Sequence, residues 1–599
     1  MRAKSFTVVA LLVVASMLLA ACGGGAVETV VVTVETEGGV QEVVVTATPE
    51  AGAAEPVTYD GVSTTDIPTA DPQIAEDVVS ITYIENLFVH LANYDLDTAE
   101  VVPEAATSWT DSDGGLTYTF TIRTDIPWVY HNPATGETTQ VVDDEGNPRF
   151  VTAGDFAYGI RRACDPNTGG YYSSVVAPLI KGCADVLYYE DAENVPAELV
   201  DAIGVSAPDD ATLIVELEFP ASYFVSMAPM WTLAAVPSWT VEQFGTDWIE
   251  AGNIVTNGRY VLHEWVHNVR RTLWRNPLMP ADMYGSGNIE RFIVNVVPDT
   301  STSYSLWLNN DIDNSAIPDA ELQAHLEQYA DETDQIPDLA VFYIAFRETK
   351  PPFDDARVRR AFAAAFDRVT YVQTVIQGQG LPMIHFAPPG IFGAPPIDEV
   401  GVGYDPEYAA AQLADAGYPN CEGFPQVTLL GYSGQSTLNW IEYAQDQWLT
   451  NLGCDPSVIQ IEQQPFSELL AATAASTPDA DSPHMWTLGW GPDYADENNW
   501  VGDVLWCEGE NRSIRTCNEI DDLIVEAREE ADPDVRVELY RQIEEMFFGP
   551  EGEMPFFPIW VRIAFTARHS WVDRVPALFG GEQYYNWSLD WDAKLAARQ

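Results

Sequence analysis

Positive charge is what this chain has least of. Its 599 residues carry 28 Lys and Arg against 91 Asp and Glu, a formal net charge of −63. A field of that sign disfavours nucleic acid and anionic membrane surfaces as partners. It would favour cationic ligands, but the acid is spread along the chain, and a surface adapted to the outside medium explains a diffuse excess more simply. Catalytic signatures are missing as well. There is no G-x-S-x-G elbow, no Walker loop and no G-x-G-x-x-G before a helix. Paired carboxylates occur everywhere in so acidic a chain, so they carry no evidence for glycosidase chemistry. No C-x-x-C spacing supports a zinc framework. The expectation is a non-enzyme with no catalytic residue, metal or cofactor.

The length is enough for two to four domains, and 46% hydrophobic content is ordinary for a globular protein. Arg2 and Lys4 precede an apolar or small-residue run over 6–21, followed at once by Cys22 and Gly23 to Gly25. That is the layout of an export signal. The run is somewhat short for a membrane-spanning helix, which wants ~20 apolar residues, and no basic stop-transfer cluster follows. Leu19-Ala20-Ala21-Cys22 resembles the bacterial lipobox, which implies cleavage before Cys22 and a lipid on its sulfur. An ordinary secretory signal with an incidental cysteine is the alternative.

Apart from Cys22, six cysteines are left. Exported chains sit where disulfides persist. Six cysteines allow fifteen connectivities. The sequence-near pairs Cys164–Cys183, Cys421–Cys454 and Cys507–Cys517 are preferred because each closes a short loop. Residues 22–58 are mostly Gly, Thr, Val, Glu and Ala with no aromatic residue before the body begins near Tyr59, and they read as a flexible tether.

Strand signals dominate the first half of the body. Thr117 to Arg123 alternates Tyr118, Phe120 and Ile122 on one face after the turn residues Asp111 to Gly115. Leu213, Val215 and Leu217 repeat that period. Helices are clearer later. Val358, Phe362, Phe366 and Val369 mark one face of a helix entered through Pro352 to Asp355. Tyr408 to Ala416 predicts a helix closed by Gly417. Asp532-Pro533 opens another, with Val535, Leu539, Ile543, Met546 and Phe547 on its face. Mixed strands and helices in runs predict α/β domains.

Residues 263–267, His-Glu-Trp-Val-His, satisfy the H-E-x-x-H pattern. Zinc chemistry there needs a helix, with two histidines one turn apart and the Glu polarising a water. Tyr260 to His267 is rich in β-formers. On a strand His263 and His267 would lie ~13 Å apart at about 3.3 Å per residue. No single zinc reaches both with bonds of ~2 Å. A secreted metalloprotease acting through Glu264, with Glu290 as a possible third ligand, is therefore the remote reading.

A series of short segments, in order, resembles the peptide-binding class of ABC solute receptors, family 5. Ile84-Glu85-Asn86-Leu87-Phe88 to Tyr94-Asp95 resembles the family's early cleft strand. Pro103 to Trp109, Leu116 to Phe120 and Trp128 resemble its P-x-L-A-x-S-W, L-T-Y-T-F and W run. Val151 to Phe156 with Arg161-Arg162, and Thr256 to Tyr260 with Arg259 in place of a usual proline, follow. Lys350 to Arg359 with Ala361 and Asp367-Arg368 resembles K-P-P-F-x-D-x-R-V-R-x-A … D-R. Tyr404-Asp405-Pro406, Leu413 to Pro419, and Gly489-Trp490-Gly491-Pro492-Asp493-Tyr494 complete the series.

The resemblance implies an α/β, two-lobed periplasmic-binding-protein-like clamp (type II, cluster C) with an additional domain. The implied segments are 1–21 signal, 22–58 tether, 59–100 lobe I, 101–200 additional domain II, 201–338 lobe I again, 339–562 lobe III, and 563–599 returning to lobe I. It implies a peptide held between lobes that close by hinge motion, with an ABC permease and its ATPase subunits as partners. The chain would be a monomer outside the cytoplasm, touching the membrane only through its lipid. Asp493 would pair with the peptide's ammonium, and Gly489, Trp490 and Gly491 would supply backbone partners and a wall, beside Tyr494. Glu85 and Asn86 would bond ligand backbone, and Phe466 would be a pocket wall. Tyr171 and Tyr172 are candidates for the cleft face. The residues before the Gly-Trp pair, Met485 to Leu488, hold no base for the peptide's carboxyl end. The same fold also binds oligosaccharides, nickel complexes or haem, and eighteen tryptophans could stack on sugar.

Overall fold

The computed structural model describes residues 55–509 and 511–599 in full, and the backbone of 28–36 and 39–47. The signal at 1–21 and Cys22 lie outside the described residues. Glu28–Thr36 and Gly39–Ala47, within the expected tether, pair as an antiparallel hairpin. Val57–Gln599 forms one compact unit.

That unit has two main cores. The first gathers buried side chains from Tyr59 to Val294 and again from Trp571 to Leu589. The second gathers Leu339 to Val561, with Tyr94, Ala99 and Phe579 reaching in. In the first core, Thr58–Ser63 pairs in parallel with Arg291–Val296, which joins Arg270–Arg275 and Tyr260–Val266 in a four-stranded sheet. The expected strand over 117–123 is Thr117–Ile122, with Tyr118, Phe120 and Ile122 buried as the period-two pattern requires. It pairs with Ala106–Ser112 on one side and Thr212–Glu216 on the other, and Val205–Asp209 completes the sheet. This sheet runs across residue 200, where the sequence divides the additional domain from lobe I.

The second core surrounds a sheet ordered Asn314–Ala316, Phe556–Arg568, Thr333–Phe346, Met485–Trp490, Val427–Tyr432, Ile459–Gln464. The last three strands are mutually parallel, and the helix Gln435–Leu452 provides one crossover. Long Thr333–Phe346 and Phe556–Arg568 pair along their length, but the register slips between Pro337 and Val341. There Leu339 takes φ 56° and Asp338 pairs with Arg562. Such an irregularity bends a strand pair. It falls at 338–340, between the expected second segment of lobe I and lobe III.

Asp opens many of the helices. Asp77, Asp299, Asp355, Asp367, Asp405, Asp532 and Asp590 each accept a backbone N–H as N-cap, which neutralises orphan donors and suits the positive end of the helix. One of these caps corrects the sequence reading. The helix expected through Val358 and Val369 is two, Ala356–Ala364 and Arg368–Thr374. Asp367 starts the second, Phe366 stays buried between them, and Val369 is exposed. The helix entered at Asp532 runs Pro533–Phe548, with Leu539, Ile543 and Phe547 buried and Val535 in solvent.

Several of the scarce cations are spent inside. Arg368 donates to the Pro558 and Ala363 carbonyls. Lys594, fully buried, joins Asp60 and Asp313. All three sequence-near cysteine pairs are disulfides. Seven tryptophans, including Trp440, Trp448 and Trp486, are among the largest fully buried side chains, so they are packing rather than platforms for sugar.

Candidate functional site

Three parallel strands end on one edge of the second sheet, and their ends carry aromatic side chains. Val427–Tyr432 ends in Tyr432, Ile459–Gln464 leads through Pro465 to Phe466, and Met485–Trp490 ends in Trp490. In open α/β sheets ligands collect outside the carboxyl ends of strands. Phe466 is 53% exposed and stands edge-on to Tyr432 at 5.8 Å. Gly489 faces Phe342 on the neighbouring strand, whose ring would lie 2.9 Å from any added Cβ, so the motif's first glycine is a packing requirement. Gly491 is exposed with open space around it.

Asp493 follows, half-buried. Its Oδ1 accepts from the Tyr172 hydroxyl at 2.7 Å and its Oδ2 from Asn499 Nδ2 at 3.1 Å. Its own N–H donates to Asn499 Oδ1 at 2.9 Å. Among the described residues no Lys or Arg pairs with it. Desolvation therefore pushes its carboxyl above the ordinary aspartate range, against the two hydrogen bonds that favour the ion. Asn499 is the hub. It also accepts from Trp490 Nε1 at 3.3 Å and donates to Asp503 Oδ2 at 3.0 Å. Tyr494 is buried, donates to Asp503 Oδ2 at 2.8 Å and stacks on Tyr223 of the first core at 5.7 Å. Neither Asn499 nor Asp503 stood out in the sequence, because polar residues in an acidic loop carry no pattern.

The loop continues as a buried acidic segment. Asp496 is held by Arg536, with both oxygens 2.9 Å from Nη2. Glu497 is buried with neither carboxylate oxygen hydrogen-bonded. Burial and then Glu544 raise its pKa well above normal. Burial pushes Asp503 and Glu544 up to about 7. A π-helical turn over Val501–Leu505 closes the segment, a geometry common at functional sites.

Two expected site residues sit elsewhere. Glu85 and Asn86 are not on a strand. They lie on the helix Val78–Leu87, both buried. Ile81, Ile84 and Leu87 turn to the core at helical spacing, which the short motif did not reveal. Glu85 Oε1 accepts from Asn93 and from the Tyr585 hydroxyl at 2.7 and 2.9 Å. Asn86 donates to Thr82 and Glu582 carbonyls and accepts from Tyr584 N–H. Their hydrogen-bonding capacity is taken up within the first core. Of the two tyrosines, Tyr172 reaches Asp493, while Tyr171 is 65% exposed beside it, ring centroids 5.6 Å apart.

The H-E-x-x-H segment is strand Tyr260–Val266. His263 stacks on Trp274 at 3.8 Å and meets His131 at 2.9 Å, whereas His267 faces Glu250 and Glu264 pairs with Arg270. No cluster among the described residues has the makings of a metal site.

Residues 100–510 match the bacterial extracellular solute-binding proteins, family 5. The chain belongs to this family. Its fold is that of a two-lobed α/β clamp, and its family makes it a solute-binding protein rather than an enzyme. The periplasmic oligopeptide-binding protein OppA of Escherichia coli (strain K12) is 27% identical over 510 residues, 82% of this chain and 85% of that protein. A probable deoxycholate-binding periplasmic protein of the same organism, YgiS, is 30% identical over 358 residues, 59% of this chain and 62% of that one. Among solved structures, the unliganded open form of the periplasmic murein tripeptide binding protein MppA superposes with a TM-score of 0.71 at 23% identity, covering 87% of this chain and 94% of that one.

Proposed function

We propose that this protein is the extracytoplasmic receptor of an ABC importer and that it captures peptides, seating their terminal ammonium on Asp493. The observation that carries this reading is a desolvated carboxylate with no cationic partner among the described residues, at the carboxyl end of the sheet. A carboxylate has about four acceptor positions, of which Tyr172 and Asn499 occupy two. An ammonium brings the missing charge and forms the stronger, charge-assisted kind of hydrogen bond. Trp490 and Phe466 flank the same edge as apolar walls. The relative named for oligopeptides supports peptide over deoxycholate, and so does the electrostatics, since a bile acid's carboxylate would be repelled by Asp493. Cys22 anchors the mature chain by lipid, and delivery is to a membrane permease by a monomer.

Native mass spectrometry of the purified protein tests the ligand. The expected result is co-purifying peptides, released by Asp493→Ala. Peptides that never bind, with cello- or malto-oligosaccharides raising Tm instead, would overturn the assignment.

A further inference from the structure

A second cavity shares no lining residue with the Asp493 edge. It measures about 900 Å³ and is walled by the 68–74 segment, the helix Ala153–Ala163 with the residues after it, the 186–203 stretch and the turn at 241–249. That is at the upper end of the size of small-molecule pockets, about 300–1,000 Å³. One wall is cross-linked. The disulfide Cys164–Cys183 ties the end of one wall helix to the helix Cys183–Leu187, which carries the lining residue Val186. Val195, Val200, Ile203, Val241 and Ile249 make much of the lining aliphatic.

The polar groups are unevenly committed. Arg162 is neutralised, donating to both Asp71 oxygens at 2.6 Å. Trp248 Nε1 also donates to Asp71, at 2.9 Å. Arg161, on the same wall, forms no ion pair among the described residues. It gives one N–H to the Val205 carbonyl at 2.8 Å, and its Nε is buried without an acceptor. Tyr158, one turn earlier on the same helix face, lines the cavity with a hydroxyl that meets no hydrogen-bond partner among the described residues. Three acids line the space, Asp71 among them. Asp165 Oδ1 is engaged by the backbone N–H and side chain of Asn167 at 2.9 and 3.0 Å, and Glu193 lies in solvent.

We infer that this cavity is a second ligand site, for an amphipathic monocarboxylate whose headgroup is held by Arg161 and the Tyr158 hydroxyl and whose apolar body lies along the valine and isoleucine wall. A guanidinium with no counterion among the described residues, in a chain of net charge −63, is the feature that selects an anion. The aliphatic wall selects its body. The pocket is independent of the peptide site and is expected to fill whether or not a peptide is bound.

Dodecanoate, titrated calorimetrically into the full chain below its micellar concentration, is the probe. One molecule is expected to bind per chain. Arg161→Gln should weaken binding by at least about tenfold, as expected for loss of a charge-assisted bond. Arg161→Lys should restore part of it, and Val200→Trp should block it by filling the space. Far-ultraviolet circular dichroism confirms that each variant is folded. Dodecylamine binding as tightly as dodecanoate would show that Asp165 and Glu193 set the charge preference and would overturn the proposal. So would absence of binding, or indifference to both Arg161→Gln and Val200→Trp. Loss of dodecanoate binding in Asp493→Asn would place it in the peptide site and would overturn the proposal equally, whereas retention there with loss in Val200→Trp supports a separate pocket.

Discussion

The protein buries two groups of carboxylates and treats them in opposite ways. In the first core, Glu85 and Glu104 have cationic company. Arg259 pairs with Glu104, lies 4.0 Å over the Tyr585 ring and donates to the Met283 carbonyl. His90 Nδ1 stands 3.1 Å from Glu85. Burial alone would lower the His90 pKa, but Glu85 and then Glu104 hold it above the ordinary histidine value. In the second core, Asp493, Asp496, Glu497, Asp503 and Glu544 lie on one loop and the helix Pro533–Phe548, and among the described residues only Arg536 pairs with any of them. The first group brings its own cations, Arg259 and His90. The second has five acids to one paired cation among the described residues, and Asp493 is half-buried at the sheet edge. A site that receives a cation is expected to look like the second group, and a structural strut like the first.

Removing Arg259 should have the largest effect. Arg259→Gln leaves Glu104 buried without its cation, and breaking such a pair costs about 3–5 kcal/mol. Urea unfolding should show that loss, while the folded fraction keeps its peptide affinity. An affinity loss larger than the stability loss would make the first group part of the binding site. Asp493→Asn should do the reverse. Losing a charged hydrogen bond to the ammonium costs about 1.5–3 kcal/mol, roughly 10- to 100-fold in Kd by fluorescence titration. Tm should hold or rise, because a desolvated charge has gone. A fall in Tm with unchanged Kd would reduce Asp493 to a strut.

This contrast was half visible in the sequence. The Gly489-to-Tyr494 run points to Asp493 only through its resemblance to the family motif. The resemblance around Glu85 and Asn86 was equally good as a string, yet it concealed a helix, because five residues are too few to separate a period of 3.6 from one of 2. Tyr118, Phe120 and Ile122 were legible because alternation over a full strand leaves no such ambiguity. The near cysteine pairs were legible because short loops close easily. Asn499 was not, since its role depends on three partners meeting in space. Nor was the burial of Glu497, in a chain where acid is the commonplace surface residue. Arg259 was noticed only as a departure from the family pattern, and its partner Glu104 lies 155 residues away.

Titration separates the groups further. Asp503 has its folded pKa pushed up to about 7 by burial, above an ordinary aspartate near 3.9. An acid shifted upward binds more protons when folded. Its contribution to stability is therefore full below about pH 4 and is lost as pH rises through about 7. Asp503→Asn keeps an acceptor for Tyr494 and Asn499 but removes the proton. Between pH 5 and 7 it should flatten the fall in stability by up to about 1.4 kcal/mol per pH unit, read from urea midpoints across the range. An unchanged slope would mean that Asp503 is solvated and that the second group is less charge-starved than its geometry indicates.

The smallest expected effect is at Tyr172, and it is the most discriminating. Its hydroxyl donates to Asp493 Oδ1 at 2.7 Å, a bond that favours the ionised carboxylate and opposes the desolvation that raises its pKa. Tyr172→Phe removes the bond and leaves the ring, which packs edge-on to Trp231 at 4.7 Å. The carboxyl then titrates higher, so the pH at which peptide binding sets in should move upward. At neutral pH the affinity should fall by only about 0.5–1.5 kcal/mol, since the ammonium keeps its partner. If the hydroxyl instead occupies the ammonium's seat, affinity rises on its removal and the onset does not move. Peptide titrations of both proteins from pH 4 to 8 distinguish a tyrosine that tunes the anion from one that competes with the ligand for it.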